Sequence, residues 1–272
     1  MIKLIALDID GTLLTSERKI SQRTHEALHM ARKHGCEVVL ATGRAFMSLQ
    51  DVMALAGCIG YAITSNGGGI FRADGTMLFA SNMPGDLVRA VMKATSGFGI
   101  YPEVYIRGQA YASGHQLDNM HTWGVPEKTC GYILQTRVRI DEFAGFAEES
   151  IGRIEGMDVL LAPTAIRAGL RGALEKIQGL AVSSSSPYYV DANAIGITKA
   201  SGLEHLGKIS GVEREEIMAF GDAENDREML SFAGTGVAMG NCVPMLRKHA
   251  DYITDDNDSD GIAKALEYFN VI

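Results

Sequence analysis

Three short apolar runs in the first 66 residues restrict what this chain can fold into. They are IKLIALDI, CEVVLAT (36–42) and YAITSN (61–66). None alternates polar with apolar residues as a half-exposed strand does. Near-continuous apolar runs of this length suit strands covered on both faces of a parallel sheet. Helix signals separate them. Ser21 can cap a helix whose Ala27, Leu28 and Ala31 share one face, and Gly35 ends it. AFMSLQDVMALAG (45–57) reads as a second helix. The order βαβαβ predicts a parallel sheet with right-handed crossovers. IFRADGTMLFA (70–80) then predicts a hairpin turning at Asp74-Gly75.

The rhythm changes near Pro84. A helix over 84–96 leads into two short strands, EVYI and AYAS, joined around Arg107-Gly108. HQLDNMHTWGVPEKT (115–129) reads as irregular. Strand, helix and strand signals run to about 162, followed by a helix around 165–178 and the strands LAVSSS and YYVDA. Helices and paired strands without regular alternation predict an α+β domain over 83–188, inserted into an α/β domain built from 1–82 and 189–272. In the last third the alternation returns. A helix is expected at about 198–210, a strand at EIMAFGD (216–222), a helix from near Asn225 and a strand at GTGVAM (234–239). Another helix, the strand DYIT and a final helix from about 260 complete the reading.

The 272 residues carry a formal net charge of −8, which argues against a nucleic acid or an anionic membrane as partner. No apolar run approaches the roughly 20 residues of a membrane span. MIKLIAL at the start lacks the basic segment and long apolar core of a signal peptide, so a cytoplasmic location is expected. Cys36, Cys58, Cys130 and Cys242 are scattered without a C-x-x-C pair, as reduced thiols would be.

Four polar clusters stand at the C-terminal ends of expected parallel strands. They are Asp8-x-Asp10-Gly11-Thr12, Thr42-Gly43-Arg44, Ser65-Asn66-Gly67, and Gly221-Asp222 with Asn225-Asp226. Open α/β sheets bind ligands beyond that edge. Asp8, Asp10 and Asp222 would repel one another unless a cation joined them, and Mg²⁺ suits a few carboxylates beside phosphate oxygens. Gly11 and Thr12 enter a tight turn whose N–H groups can cradle an anion. Thr42 and Gly43 offer a hydroxyl and an N–H at a helix start. Lys199 can add positive charge. A phosphoryl group held between a metal and donors fits this set. Asp8 is then the candidate nucleophile, forming an aspartyl-phosphate, and Asp10 the group that moves the proton. Arg44 could serve the phosphate or pair with a structural carboxylate. Asn66 could lie at the site or hold a turn.

D-x-D-G-T-L with T-G-R, a later lysine and G-D-x-x-N-D closely resembles the haloacid dehalogenase superfamily, and more narrowly its Cof-type (type IIB) phosphatases. The resemblance extends through ATGR (41–44), SNG (65–67), Lys199, GDAENDREML (221–230), GVAMGN (236–241), ADYIT (250–254) and DSDGIAKAL (258–266). It implies a Rossmann-like core and a type IIB cap that selects the substrate. It also implies that Asp8 is nucleophile and metal ligand. Asp10 would be general acid and base, and a ligand to Mg²⁺ through its carbonyl. Thr42, Gly43 and Asn225 would contact phosphate, Lys199 would steady phosphate and nucleophile, Asp222 would bind the metal and Asp226 would support them. Departures are Ala200 after Lys199, where glycine is frequent, and Cys242, where alanine is common. HQLDNMHTWG (115–124) matches no substrate signature.

The expected activity is Mg²⁺-dependent hydrolysis of small phosphate monoesters, sugar phosphates foremost, by a monomer or homodimer. A phosphomutase of the phosphomannomutase type is the alternative enzyme. It would need cations in the cap for a bisphosphate, and residues 100–130 hold only Arg107 and Lys128. A catalytically silent phosphate-binding regulatory protein is the alternative outside catalysis.

Overall fold

The computed structural model describes residues 1–161 and 165–272. The strands are β1 (Leu4–Leu7), β2 (Glu37–Ala41), β3 (Tyr61–Thr64), β4 (Gly69–Arg72), β5 (Met77–Ala80), β6 (Glu103–Ile106) and β7 (Gln109–Ser113). They continue with β8 (Arg137–Ile140), β9 (Gly156–Leu160), β10 (Leu180–Ser183), β11 (Tyr189–Ala194), β12 (Ile217–Gly221), β13 (Thr235–Ala238) and β14 (Tyr252–Ile253). The helices are α1 (Gln22–Lys33), α2 (Gln50–Ala56), α3 (Gly85–Ser96), α4 (Gly114–Asn119) and α5 (Glu127–Thr136). After them come α6 (Phe143–Glu149), α7 (Ala165–Leu174), α8 (Lys199–Ser210), α9 (Arg227–Phe232) and α10 (Gly261–Tyr268). Among the described residues no helix is long and apolar enough to cross a membrane.

The chain forms two compact units. The first comprises Met1–Arg44, Leu49–Phe79 and Thr198–Ile272. Its eight-stranded sheet has the order β14-β13-β12-β1-β2-β3-β4-β5. The six strands from β14 to β3 are parallel, and β4 runs antiparallel to β3. The α/β class expected from the alternating signals holds. All four residues of β1 are fully buried, which is why that run is apolar throughout. Ser21 caps α1 by accepting a hydrogen bond from the Thr24 N–H at 3.1 Å. The 45–57 segment departs from a single helix: Phe46–Leu49 is a 3₁₀ turn, and the α-helix begins at Gln50.

The second unit comprises Ala45–Ser48 and Ala80–Ile197. Its six-stranded sheet has the order β10-β11-β9-β6-β7-β8. One face is apolar, with Val104, Met157, Val159, Val190 and Ala192 packed beside Val88 and Val91 of α3, Phe143 of α6 and Leu170 of α7. Tyr189–Ala194 lies in this sheet, paired with β9 and β10, so the second unit extends past the expected edge at 188 to Ile197. The stretch 115–129 is not irregular. Ser113 caps α4 through the Gln116 N–H at 3.1 Å, a 3₁₀ turn follows at Met120–Trp123, and α5 starts at Glu127.

Glu155 is buried in this unit. Its Oε2 accepts from the Gly108 N–H at 3.4 Å, while Oε1 has no hydrogen-bond partner. Burial pushes its carboxyl up to about 7 against the pull of those backbone N–H groups. The folded state therefore holds this proton more tightly than the unfolded chain. The resulting stability is fully present below the ordinary pKa of 4.5 and is lost as pH rises through about 7. Denaturant unfolding at pH 5 and pH 8 should show Glu155→Gln gaining on the wild type by up to about 3 kcal/mol at the higher pH. An identical gap at both pH values would mean that Glu155 does not titrate in this range.

Candidate active site

The polar clusters follow the C-terminal ends of neighbouring strands. β1 lies between β12 and β2 in register, with Leu7 opposite Phe220 on one side and Leu40 on the other. Asp8, Thr42 and Asp222 each follow within two residues, and the Asp8 N–H donates to the Phe220 carbonyl at 3.1 Å. The pairing that makes the sheet thus delivers residues more than 200 positions apart to one edge.

Lys199 organises the centre. It is completely buried at the first position of α8. Its Nζ donates to Asp8 Oδ1 and to Asp226 Oδ1, both at 2.6 Å. Burial works against the ammonium, but Asp226 and Asp8 outweigh it and raise the lysine's pKa. Asp226 is fully engaged, because its Oδ2 also accepts the Asp222 and Ala223 N–H groups, each at 2.9 Å. It fixes the backbone on which Asp222 is mounted. Asp222 Oδ1 accepts the Thr12 hydroxyl at 2.8 Å. Ligand oxygens of Asp8, Asp222 and Asp226 lie within 4.8 Å of one another. Burial, with the neighbouring carboxylates, pushes the carboxyl groups of both Asp8 and Asp222 upward.

Two glycines make this closeness sterically feasible. Gly11 has φ +89°, and a Cβ there would stand 2.4 Å from Asp222 Oδ2. Gly67 has φ +106°, and its Cβ would stand 2.1 Å from the Thr198 carbonyl oxygen. Only glycine lets the 65–67 turn approach the start of α8.

Not every expected residue meets the central carboxylates. Asp10 is half-exposed and held by Arg44, whose Nε donates to Oδ2 at 2.7 Å and whose Nη2 donates to Oδ1. Desolvation opposes the charge on Asp10, yet Arg44 holds the carboxyl below its ordinary range. Of the two uses open to Arg44, the structure displays the ion pair. The Thr42 hydroxyl oxygen accepts the Arg44 N–H at 3.2 Å. The Thr12 N–H points to the Ile9 carbonyl at 3.4 Å, so its hydroxyl, on Asp222, is its stronger contact. Asn66 and Asn225 are buried and joined, Asn225 Nδ2 donating to Asn66 Oδ1 at 2.9 Å. Asn66 Nδ2 lacks a partner and lies beside Gly43, whose Cβ would come 3.2 Å from it. Asn66 sits at φ +53°, uncommon outside glycine. Its amide donor therefore faces the Thr42-Gly43 corner at some backbone cost.

Sequence reasoning missed Asn241 and Asn257. Asn241 Nδ2 donates to the Gly11 carbonyl at 2.8 Å, and Asn257 Nδ2 to the Leu14 carbonyl at 2.8 Å. Asn241 Oδ1 in turn accepts the Asn257 N–H at 3.2 Å. Together they tie the turn after β1 to the loop before α10. Asn241 was findable, because it follows β13 at the same sheet edge as the other clusters.

A parallel sheet presenting this edge defines the class: the chain belongs to the haloacid dehalogenase-like hydrolases, whose family model matches residues 5–266. It is 30% identical over 268 residues to the 5-amino-6-(5-phospho-D-ribitylamino)uracil phosphatase YcsE of Bacillus subtilis, covering 98% of this chain and 96% of that protein. It is 29% identical to the HMP-PP phosphatase of Serratia proteamaculans, over 91% of this chain and 87% of the other. Among solved structures, the subclass IIB sugar phosphatase BT4131 superposes with a TM-score of 0.83 at 26% identity, covering 99% of this chain and 100% of that one. A haloacid dehalogenase-like hydrolase from B. subtilis gives the same score and identity, covering 98% and 99%.

Proposed function

We propose that this protein is a Mg²⁺-dependent phosphatase that hydrolyses small phosphate monoesters, sugar phosphates foremost, through a phospho-Asp8 intermediate. The observation that carries this reading is the charge of the buried centre. Asp8, Asp222 and Asp226 bring three carboxylates against the single ammonium of Lys199. When all three are ionised two negative charges are left over, and their repulsion is part of what raises the carboxyls of Asp8 and Asp222; a divalent cation would offset them, and all the donors are hard oxygens of the kind Mg²⁺ takes. Asp226 is occupied by Lys199 and two backbone N–H groups, which leaves Asp8, Asp222 and the Asp10 carbonyl to hold the ion. When bound, Mg²⁺ supplies positive charge to the phosphoryl oxygens.

The chain's own groups divide the remaining work. Lys199 keeps Asp8 oriented and favours its ionised form against the burial that raises its pKa. Thr42, Gly43, Asn66 and Asn225, with the turn at Gly11-Thr12, line the phosphoryl position with donors. Asp10 gives a proton to the leaving oxygen and later takes one from the water that cleaves phospho-Asp8. Arg44 grips Asp10 before substrate arrives, so proton transfer requires the two to part. The second unit serves as the cap that selects the substrate.

The test is phosphate release from p-nitrophenyl phosphate and a panel of sugar and nucleotide-precursor phosphates. Turnover should require millimolar Mg²⁺ and fall at least roughly 100-fold in chelator. Undiminished turnover in chelator would refute the metal-dependent reading. Isomer formation without net phosphate release would replace hydrolysis by mutase chemistry.

A further inference from the structure

Inside the first unit, the turn after β1, the turn after β13 and the loop before α10 meet at Asn241. β13 pairs with β12 in register, with Ala238 opposite Gly221. The turn that follows β13 stays on the same neighbour. Its Met239 N–H donates to the Gly221 carbonyl at 3.0 Å, and its Val243 N–H donates to the Asp222 carbonyl at 2.9 Å. Asn241 lies between those two anchors. Its Nδ2 donates to the Gly11 carbonyl at 2.8 Å, and its Oδ1 accepts the Asn257 N–H at 3.2 Å. The second bond fixes which end of the amide is which. Only oxygen can accept from a backbone N–H, so the end on the Gly11 carbonyl is the donor.

The loop before α10 braces this arrangement. The Gly240 N–H donates to the Asp255 carbonyl at 3.1 Å, and Asn257 Nδ2 donates to the Leu14 carbonyl at 2.8 Å. Asp258 accepts the Ser16 N–H and hydroxyl at 2.8 and 2.7 Å.

Gly11 is the reason an anchor is needed. Its missing Cβ lets the turn lie against Asp222. The same absence leaves the Gly11–Thr12 peptide with little steric preference for one orientation. That peptide is trans, so its carbonyl and its N–H point in opposite directions. Holding the carbonyl on Asn241 therefore sets the direction of the Thr12 N–H. The turn's own bonds do this poorly. The Thr12 N–H reaches the Ile9 carbonyl only at 3.4 Å, and the Thr12 hydroxyl is engaged by Asp222. A turned-over peptide would put a carbonyl oxygen, with its partial negative charge, where the N–H now stands.

We infer that Asn241 is a positioning residue for phosphoryl transfer: through the Gly11 carbonyl it holds the Thr12 N–H in the direction that donates to the transferring group. The inference rests on the phosphatase reading, in which the Gly11-Thr12 turn lines the phosphoryl position. A donor aligned in advance acts mainly on the transition state, so the contribution falls on kcat rather than on KM.

The test follows p-nitrophenyl phosphate hydrolysis by the full chain across a range of Mg²⁺ concentrations. Asn241→Ala removes the donor. Asn241→Asp keeps an acceptor for the Asn257 N–H but sets a carboxylate oxygen against the Gly11 carbonyl. Each should lower kcat roughly 10–100-fold at saturating Mg²⁺, part of what a prealigned donor contributes, with KM within about threefold. Inhibition by orthovanadate, which adopts the five-coordinate geometry of the transferring group, should weaken by the same factor. Asn257→Ala loosens the brace at Leu14 while leaving Asn241 on Gly11, and should keep kcat within about threefold of the wild type. Asn241 is exposed, so folding should survive its replacement. If Asn241→Asp does not fold, Asn241→Ala carries the measurement. An unchanged kcat in folded Asn241 variants overturns the inference and leaves Asn241 as a tie between loops. An equal loss in Asn257→Ala overturns it in favour of loop order, and recovery of the rate at high Mg²⁺ overturns it in favour of an effect on Asp222. All three leave the phosphatase reading standing. Absence of wild-type turnover on every phosphate ester overturns both.

Discussion

Asp8→Asn should hydrolyse phosphate esters at least roughly 10,000-fold more slowly than the wild type while still unfolding cooperatively. The amide occupies the same volume at the end of β1 and keeps one acceptor oxygen for Lys199. It also removes one of the like charges crowded against Asp222 and Asp226. Folding should therefore survive. What disappears is the carboxylate that attacks phosphorus, and no second step can follow without the covalent intermediate. Phosphate release under single-turnover conditions and a denaturant melt of the same sample check both halves. A variant retaining more than about a tenth of the activity would place the nucleophile elsewhere.

Lys199→Met should cost about 3–5 kcal/mol of stability as well as turnover, because it strands two buried carboxylates. The ammonium touches both Asp8 and Asp226 at 2.6 Å with no exposure of its own. Adding Asp226→Asn to that variant should restore part of the stability by removing one stranded charge, without restoring activity. The double-mutant cycle then reads the coupling of Lys199 to Asp226 directly. A loss below about 1 kcal/mol in Lys199→Met would mean that the pair is already neutralised by protonation.

The candidate site was legible in the sequence because each cluster follows a buried strand by one or two residues. That the clusters meet depended on their strands being neighbours, and the observed order, with β1 between β12 and β2, makes them so. Partner choice inside the site was not legible. Arg44 had two carboxylate or phosphate uses open to it, and its bond to Asp10 depends on side-chain directions across 34 positions. Asn241 reaches Gly11 across 230 positions, a closure that no local pattern encodes. The fold reading failed at 115–129 for a different reason. Glycine and proline at 114, 124 and 126 interrupt the helical period, yet Ser113-x-x-Gln116 is a capping signature that was present to be read. The expected edge at 188 failed because β11 declares its sheet through pairing with β9 and β10, which composition does not carry.

The short piece Ala45–Ser48 bears on how such proteins are recombined. It follows the Thr42-Gly43-Arg44 motif of the first unit but belongs with the second. The Met47 N–H donates to the Gly108 carbonyl at 2.8 Å, Ala45 packs with Tyr105 and Ala110, and the Ser48 hydroxyl accepts from Arg137 at 3.4 Å. The second unit is thus encoded by two separate stretches of gene. A chimera that exchanged only residues 80–197 with a relative would graft a foreign sheet onto a resident tetrapeptide. Cutting at four junctions, with 45–48 carried along, keeps each graft with its own counterpart.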